Sequence, residues 1–491
     1  MSGYLISVDQ STQGTKALLF NDKGQLMQRT DLPHEQIINE EGWVSHDADE
    51  IYANTLGVIR NLVEAAGINK DEVKGLAISN QRETSVMWDR LTGQPLAKAI
   101  VWQCARATAI TERPAIVKET EYIESRTGLK LSPYFSAAKI SWLLENVPGA
   151  GEKAARHEVC HGTIDSYLVF RLTDGQAYRT DYSNASRTML FDIFDLKWNE
   201  KICDLFGIDV ANMPEVTDSN AVYGYTTCGG FFNTPIPICG VLGDSHAALF
   251  GQNCRRVGET KTTYGTGSSI MMNIGKTPVK STHGVVTSLA WSCNGTAEYV
   301  LEGNLNYTGA TITWLKTDME LIQSAAETEA LAEAAHRDDD LYLVPAFTGL
   351  GAPYWDSHAK AAVVGMDRTT RKAEFVRAAL ESIAYQISDV IFAMTQDAHI
   401  RLGQLNVDGG PTRNKYLMQF QSDIIGTKVV VPDAEELSGI GAAYMGGMAL
   451  GLWGDEVFDN IGHTTYVPKM PPARRDSKLA GWKKAVERVL Q

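Results

Sequence analysis

The residue best placed for chemistry is Asp244, which closes the apolar run Ile238-Cys239-Gly240-Val241-Leu242-Gly243 and passes straight into Ala-rich Ser245 to Phe250. An apolar run ending in Gly-Asp ahead of helical sequence reads as a buried strand delivering one carboxylate to the mouth of a cleft. Two roles suit it: a helix cap for the amides of Ser245 to Phe250, or a base that takes a proton from a hydroxyl. A second charged set, Asn80-Gln81-Arg82-Glu83, follows strand-like Val73 to Ser79. A guanidinium offers only donors and a carboxylate only acceptors, so Arg82 beside Glu83 can contact a polar substrate. A surface ion pair is the alternative.

Two turns are rich in hydroxyls. Asp9-Gln10-Ser11-Thr12-Gln13-Gly14-Thr15 joins the strand-like stretches Tyr4 to Val8 and Lys16 to Phe20. Such a turn is either an ordinary polar hairpin or a concave nest of amides and hydroxyls that binds phosphate. Lys261 to Ser269, ahead of apolar Ile270 to Met272, repeats the pattern and suggests two similar domains facing one another. The glycines of Leu405-Asn406-Val407-Asp408-Gly409-Gly410-Pro411 permit close backbone approach to a flat ligand.

These groups need elements to hold them. Asp49 to Ala66 has helical periodicity, and alternating strands and helices continue through Ala99 to Gln103, Ile140 to Glu145 and a helix at Asp165 to Leu172. Later come Leu341 to Phe347, a long helix from Lys372 to Met394, helices Asn414 to Ile425 and Ile440 to Leu450, and an amphipathic end at Leu479 to Leu490. Alternation of this kind means an α/β fold. Ligands in such sheets lie beyond strand ends, which points to Asn80 to Glu83 and Trp102 to Arg106.

A chain of 491 residues is long enough for two large domains. Its net charge of -14 leaves no excess of cations for phosphate backbones, which argues against a nucleic-acid partner. No run of about 18 apolar residues occurs and Met1 to Lys16 lacks the order of a signal segment, so no membrane partner and a cytoplasmic location are expected. Seven scattered cysteines without a C-x-x-C spacing indicate reduced thiols rather than a disulfide framework or zinc site. Neither G-x-x-x-x-G-K-[ST] nor a complete G-x-G-x-x-G is present, so any nucleotide must be held by another cradle.

The paired hairpins with Asp408-Gly409-Gly410 resemble those of the FGGY carbohydrate kinases. So do two long stretches, Tyr134 to Asn146 and Ala361 to Glu381. The likeness runs the full length and is strongest to members that phosphorylate glycerol, through Asn80 to Thr84, Ala99 to Cys104, Thr180 to Thr188, Phe347 to Asp356 and Met418 to Asp423. It implies two actin-like (ribonuclease H-like) α/β domains with a central cleft, 1–250 for the polyol or sugar and 251–491 for the nucleotide. It also implies ATP and Mg2+ as cofactors and a small-molecule polyol or sugar as partner, and leaves a homo-oligomer open. Asp244 matches the family's base, and Arg82, Glu83, Tyr134 and Trp102 its substrate contacts. Thr12, Gln13, Gly14, Lys16 and Thr266 fall on its phosphate hairpins. Gly309, Gly410 and Asn414 fall on contacts to the remaining phosphates, ribose and adenine, and Thr313 lies in the segment near the nucleotide. Asp9, with Asp244, falls on its magnesium carboxylates. His246, beside Asp244, reads as a helix-packed histidine, with a proton shuttle as the alternative.

Departures bear on specificity. Ser245 and Ser269 stand where the glycerol-phosphorylating members carry glutamine and phenylalanine, so space and a donor are expected beside the substrate. A longer or more hydroxylated molecule than glycerol then fits at least as well, including a four- or five-carbon polyol or ketose. Asn304-Leu305-Asn306-Tyr307 and Thr313 also differ. Ser11 replaces a glycine, which requires that it avoid positive φ. The turn 229–234 lacks the residues that bind or accept regulatory groups in some members, so neither control is expected. A non-catalytic actin-like switch or sensor is the alternative of another class.

Overall fold

In the computed structural model, which describes residues 3–336 and 340–490, two mixed sheets share one construction. The first runs, edge to edge, Leu26–Pro33, Gly14–Phe20, Tyr4–Gln10, Val73–Asn80, Ile236–Gly243 and Val222–Thr226. Its first three strands form an antiparallel meander, after which Val73–Asn80 and Ile236–Gly243 add in parallel. The second runs Val286–Cys293, Thr296–Leu305, Ser268–Gly275, Glu259–Tyr264, Gln404–Asp408, Val429–Pro432 and His463–Tyr466. Again an antiparallel hairpin, Glu259–Tyr264 with Ser268–Gly275, is followed by two parallel strands, Gln404–Asp408 and Val429–Pro432. One difference is that Thr296–Leu305 lies beside the hairpin and pushes Val286–Cys293 to the edge. The repeat visible in sequence only at the turns is a repeat of topology.

Local chemistry explains the elements. Gly75 to Asn80 is buried without a break, because a parallel strand is covered on both faces and so reads as a continuous run. The helix Ala48–Ala66 begins at Asp47, whose carboxylate accepts the Asp49 N–H, and ends at Gly67 with φ 63°. Its Ile51, Val58, Ile59 and Leu62 recur at helical spacing and pack on one face of the first sheet. The other face is covered by Asp244–Gly251 and Leu437–Ala449. These helices meet backbone to backbone: a Cβ on Gly441 would lie 1.8 Å from the Ala247 carbonyl oxygen. A late helix thus joins the core of the first sheet, while Lys372–Ala398 and Lys415–Ile425 build the core of the second.

Some bounds differ from expectation. The strand at Ala99 covers only Ala99–Ile100, and the chain then leaves the ladder, carrying Trp102 to the cleft. Ile140 to Glu145 lies inside the helix Ser136–Asn146, and the last helix is Pro472–Glu487. Asn414 precedes its helix as the cap. All seven cysteines are free. Among the described residues, no helix is long and apolar enough to cross a membrane.

Candidate active site

Asp9 pairs with Ser79, and Ser79 with Leu242, across three adjacent parallel strands, so the chain leaves all three at one edge. That edge collects Asp9, Gln81-Arg82-Glu83 and Asp244 on one side of a cleft of about 1010 Å3. Lys261, Thr266, Ser269, Asn304, Asp408 and Gly409 line the other side.

Asp244 is held from behind. The Gly243 N–H donates to the Ser183 hydroxyl (2.9 Å), and the Ser183 and Asn184 N–H groups donate to Asp181. Asn184 and Asn80 exchange side-chain amide bonds of 2.9 and 3.0 Å, locking this loop to the neighbouring strand end. Asp244 is the first residue of Asp244–Gly251, and Gly243 takes the cap position. Its Oδ1 accepts the Ser245 N–H at 2.6 Å and lies 3.3 Å from Arg82 Nε. The capping expectation is therefore not met, since Gly243 caps the helix without a side-chain bond, and the Asp244 side chain stays 36% exposed to the cleft.

Around Arg82 the charges alternate. Its Nη1 and Nη2 donate to the two oxygens of Glu302 at 3.0 and 3.2 Å. Arg187 donates from Nε to Glu83 (2.6 Å) and from Nη1 to Glu302 (3.0 Å). Burial pulls the Arg82 pKa down, but Glu302, Glu83 and Asp244 outweigh it and hold it well above the usual value. Burial pushes Glu302 up, yet Arg187 and then Arg82 hold its carboxyl well below the ordinary range. Glu83 adopts φ 60°, the left-handed region, so a chain bend presents Arg82 and Glu83 together.

Aromatic residues form the wall beside them. Trp102 donates from Nε1 to Thr12 Oγ1 (3.0 Å) and meets Tyr134 edge to face at 5.6 Å. Burial raises the Tyr134 phenol pKa. Lys139, fully buried, donates to the Pro133 carbonyl at 2.7 Å and also to that of Tyr134, which pins the loop presenting Tyr134.

The opposite end is built from backbone. In the first hairpin Ser11 donates from N and Oγ to the Gly14 carbonyl (2.9 and 3.0 Å) and avoids positive φ. A Cβ on Gly14 would lie 2.6 Å from Leu32 O. Thr12, Gln13 and Lys16 line the cleft, and Lys16 Nζ lies 2.7 Å from Glu436. Asp9 is buried with no partner on Oδ1 among the described residues. Burial, then the charge of Asp244, raises its pKa to about 7. In the second hairpin the Thr266 carbonyl accepts from Thr308 and Ala310, and Gly309 N donates to Gly265 O, tying the turn to the helix Gly309–Thr317. Gly409, with φ 98°, has no room for a Cβ, which would lie 1.9 Å from Tyr264 O.

Of the residues expected at the site, Asp9, Thr12, Gln13, Lys16, Arg82, Glu83, Trp102, Tyr134, Asp244, Ser245, Thr266 and Ser269 line one cleft. Gly14, Gly309, Thr313, Gly410 and Asn414 lie outside its lining. Thr313 is exposed and bonds back to Gly309 O at 3.3 Å, while Gly410 opens onto empty space. Asn414 accepts the Leu417 N–H and donates to Thr328, so both ends of its amide have protein partners. His246 is buried against Ser288 Oγ (3.4 Å).

Family models for the FGGY family of carbohydrate kinases match residues 4–251 (N-terminal domain) and 260–450 (C-terminal domain). The chain belongs to that family. As an FGGY kinase it is a phosphotransferase, which decides against the non-catalytic switch. Its fold is that of two actin-like α/β units with a cleft, and FGGY kinases use ATP. A glycerol kinase from Oceanobacillus iheyensis is 45% identical over 487 residues, 99% of this chain and 97% of its own. One from Fusobacterium nucleatum is 44% identical over 494 residues, 99% of each. Among solved structures, Plasmodium falciparum glycerol kinase with ADP superposes with a TM-score of 0.94 at 36% identity, covering 100% of this chain and 98% of its own. Gluconate kinase from Lactobacillus acidophilus, at 20% identity, shares the fold with a TM-score of 0.89 over 99% and 98% of the two chains.

Sequence reasoning does not single out three buried charges of this FGGY kinase. Lys261 lines the cleft, its pKa lowered by burial against the pull of Asp408 and Asp244. Arg187 and Glu302 come from segments 115 residues apart. The local sign of Glu302 is one acid inside the apolar strand Tyr299-Val300-Leu301-Glu302-Gly303.

Proposed function

We propose that this FGGY kinase transfers the terminal phosphoryl group of ATP to a hydroxyl of glycerol or a closely similar small polyol. The observation that carries the reading is the placement of Arg82 Nε 3.3 Å from the half-exposed Asp244, with Glu83 beside it. The two glycerol kinases similar over the whole length support it. Arg82, Glu83 and Tyr134 hold hydroxyls, and Trp102 walls the carbon chain. Asp244 accepts the hydroxyl proton as the oxygen forms its bond to the terminal phosphorus and the bridging P–O bond breaks, releasing ADP.

Thr12, Gln13, Gly14, Lys16 and Thr266 cradle the phosphates, Gly309, Gly410 and Asn414 contact the remaining phosphates, ribose and adenine, and Thr313 lies in the segment near the nucleotide. Asp9, whose buried Oδ1 has no partner among the described residues, would hold magnesium together with Asp244 and phosphate oxygens. That ion supplies charge neutralisation at the phosphoryl group. Among the described residues no group of three or more acids, His or Cys is poised for a metal. On this reading 1–250 and 251–491 act as the two jaws, and their closure excludes water so that ATP is not simply hydrolysed.

Ser269 favours a second reading of the acceptor. It lines the cleft with Asn304 and Asn306, and its Oγ has no partner among the described residues. An unsatisfied hydroxyl beside two amides suits a polyol or ketose of four or five carbons. Both readings meet one test, a panel of C3 to C6 polyols and ketoses in a coupled ADP-release assay. Glycerol turning over far faster than every longer compound removes the second reading, and turnover of none removes both.

A further inference from the structure

Glu302 and Arg187 touch no expected ligand, yet every charge of the polyol clamp runs through them. Glu302 lies on the strand Thr296–Leu305 of the second sheet, whereas Arg82, Glu83 and Arg187 come from the first half of the chain. Glu302 is fully buried and accepts from both guanidiniums, two bonds from Arg82 and one from Arg187. Arg187 is 1% exposed, sits 5.0 Å above the Phe135 ring and donates its other bond to Glu83. Two positive and two negative side chains thus form one neutral buried unit, ordered Arg82, Glu302, Arg187, Glu83.

Resting on the polyol-kinase reading above, we propose that Glu302 and Arg187 are positioning residues that set substrate affinity across the cleft. A guanidinium has five N–H donors in a fixed plane. Asp244 lies against the Nε edge of Arg82, and Glu302 accepts one bond from each terminal nitrogen. That leaves Arg82 one N–H on each terminal nitrogen, aimed by Glu302. Arg187 does the same for Glu83, taking one carboxylate oxygen and leaving the other for a hydroxyl. Because the shared acceptor belongs to the second sheet, the clamp on the first is complete only when the two halves are in this relation.

Glu302→Gln keeps the shape but strands two guanidiniums around a neutral amide. Arg187→Lys keeps the charge but, as a point donor, cannot fork between Glu83 and Glu302. Steady-state kinetics of each full-length variant, with glycerol and with the best acceptor of the wild type, should show the polyol KM rising by about tenfold or more, a mid-range value for coupled neighbours. The KM for ATP should stay within about twofold. A folded variant of either kind with an unchanged polyol KM overturns the proposal, and so does failure of both to fold, which would make the pair structural. Arg82→Lys run in parallel separates the layers: if it too leaves the polyol KM unchanged, the clamp reading fails rather than the role of Glu302.

Discussion

On the proposed reading, the two ends of the cleft would recognise their ligands by different physics. At one end Arg82, Glu83, Arg187 and Glu302 are buried side chains whose charges are already paired. At the other, glycine-lined turns bring backbone and hydroxyls to the surface, and a carboxylate, Asp9, keeps an oxygen without a partner among the described residues. A small flexible polyol has only hydroxyls to offer, so it needs rigid donors and acceptors fixed in advance. A nucleotide brings its own charge and metal, so its end can remain unfinished until it binds.

That contrast can be broken from either side. The largest effect is expected from Arg82→Met, which removes the hub of the charged end: polyol kcat/KM should fall by at least about 10³-fold, consistent with breaking a buried pair, while nucleotide affinity, read by calorimetry, changes little. Gly409→Val attacks the other end, where a Cβ has no space and φ is 98°. Nucleotide affinity should drop by about tenfold or more with polyol binding retained, at a stability cost of about 1–3 kcal/mol. If both ligands weaken equally in either variant, the ends are not separate.

The smallest effect concerns the unfinished carboxylate. Burial, then the charge of Asp244, pushes the Asp9 carboxyl up from its ordinary 3.8 to about 7. A raised pKa means the native state binds the proton more tightly, so its contribution is full below about 3.8 and is lost as pH rises to about 7. Asp9→Asn should therefore raise the melting temperature of the ligand-free protein at pH 8 by about 1–3 °C and leave it unchanged at pH 4. Equal shifts at both pH values would show that the carboxylate is not the cause.

What was legible in the sequence follows from range. The strand ahead of Asp244, the helix from Lys372 and the two hydroxyl-rich turns are local patterns, and the structure has elements there. Ile140 to Glu145 is an apolar stretch whose helical state is set by its flanks and packing rather than by its own period. Glu302 was not legible because its meaning depends on Arg82, 220 residues away, and no spacing rule reaches that far. Nor does the sequence disclose that Leu437–Ala449 returns to the first sheet, since its Gly441 is explained only by the Ala247 carbonyl it faces.

If Asp244 takes the proton while its neighbours hold the ligands, Asp244→Asn separates transfer from binding. Single-turnover transfer from ATP to glycerol, or to the best acceptor found, should fall by at least about 10²-fold, the lower end for losing a positioned base, with polyol and nucleotide dissociation constants within a few-fold of wild type. Transfer at a near-wild-type rate in that variant would show that Asp244 is not the base.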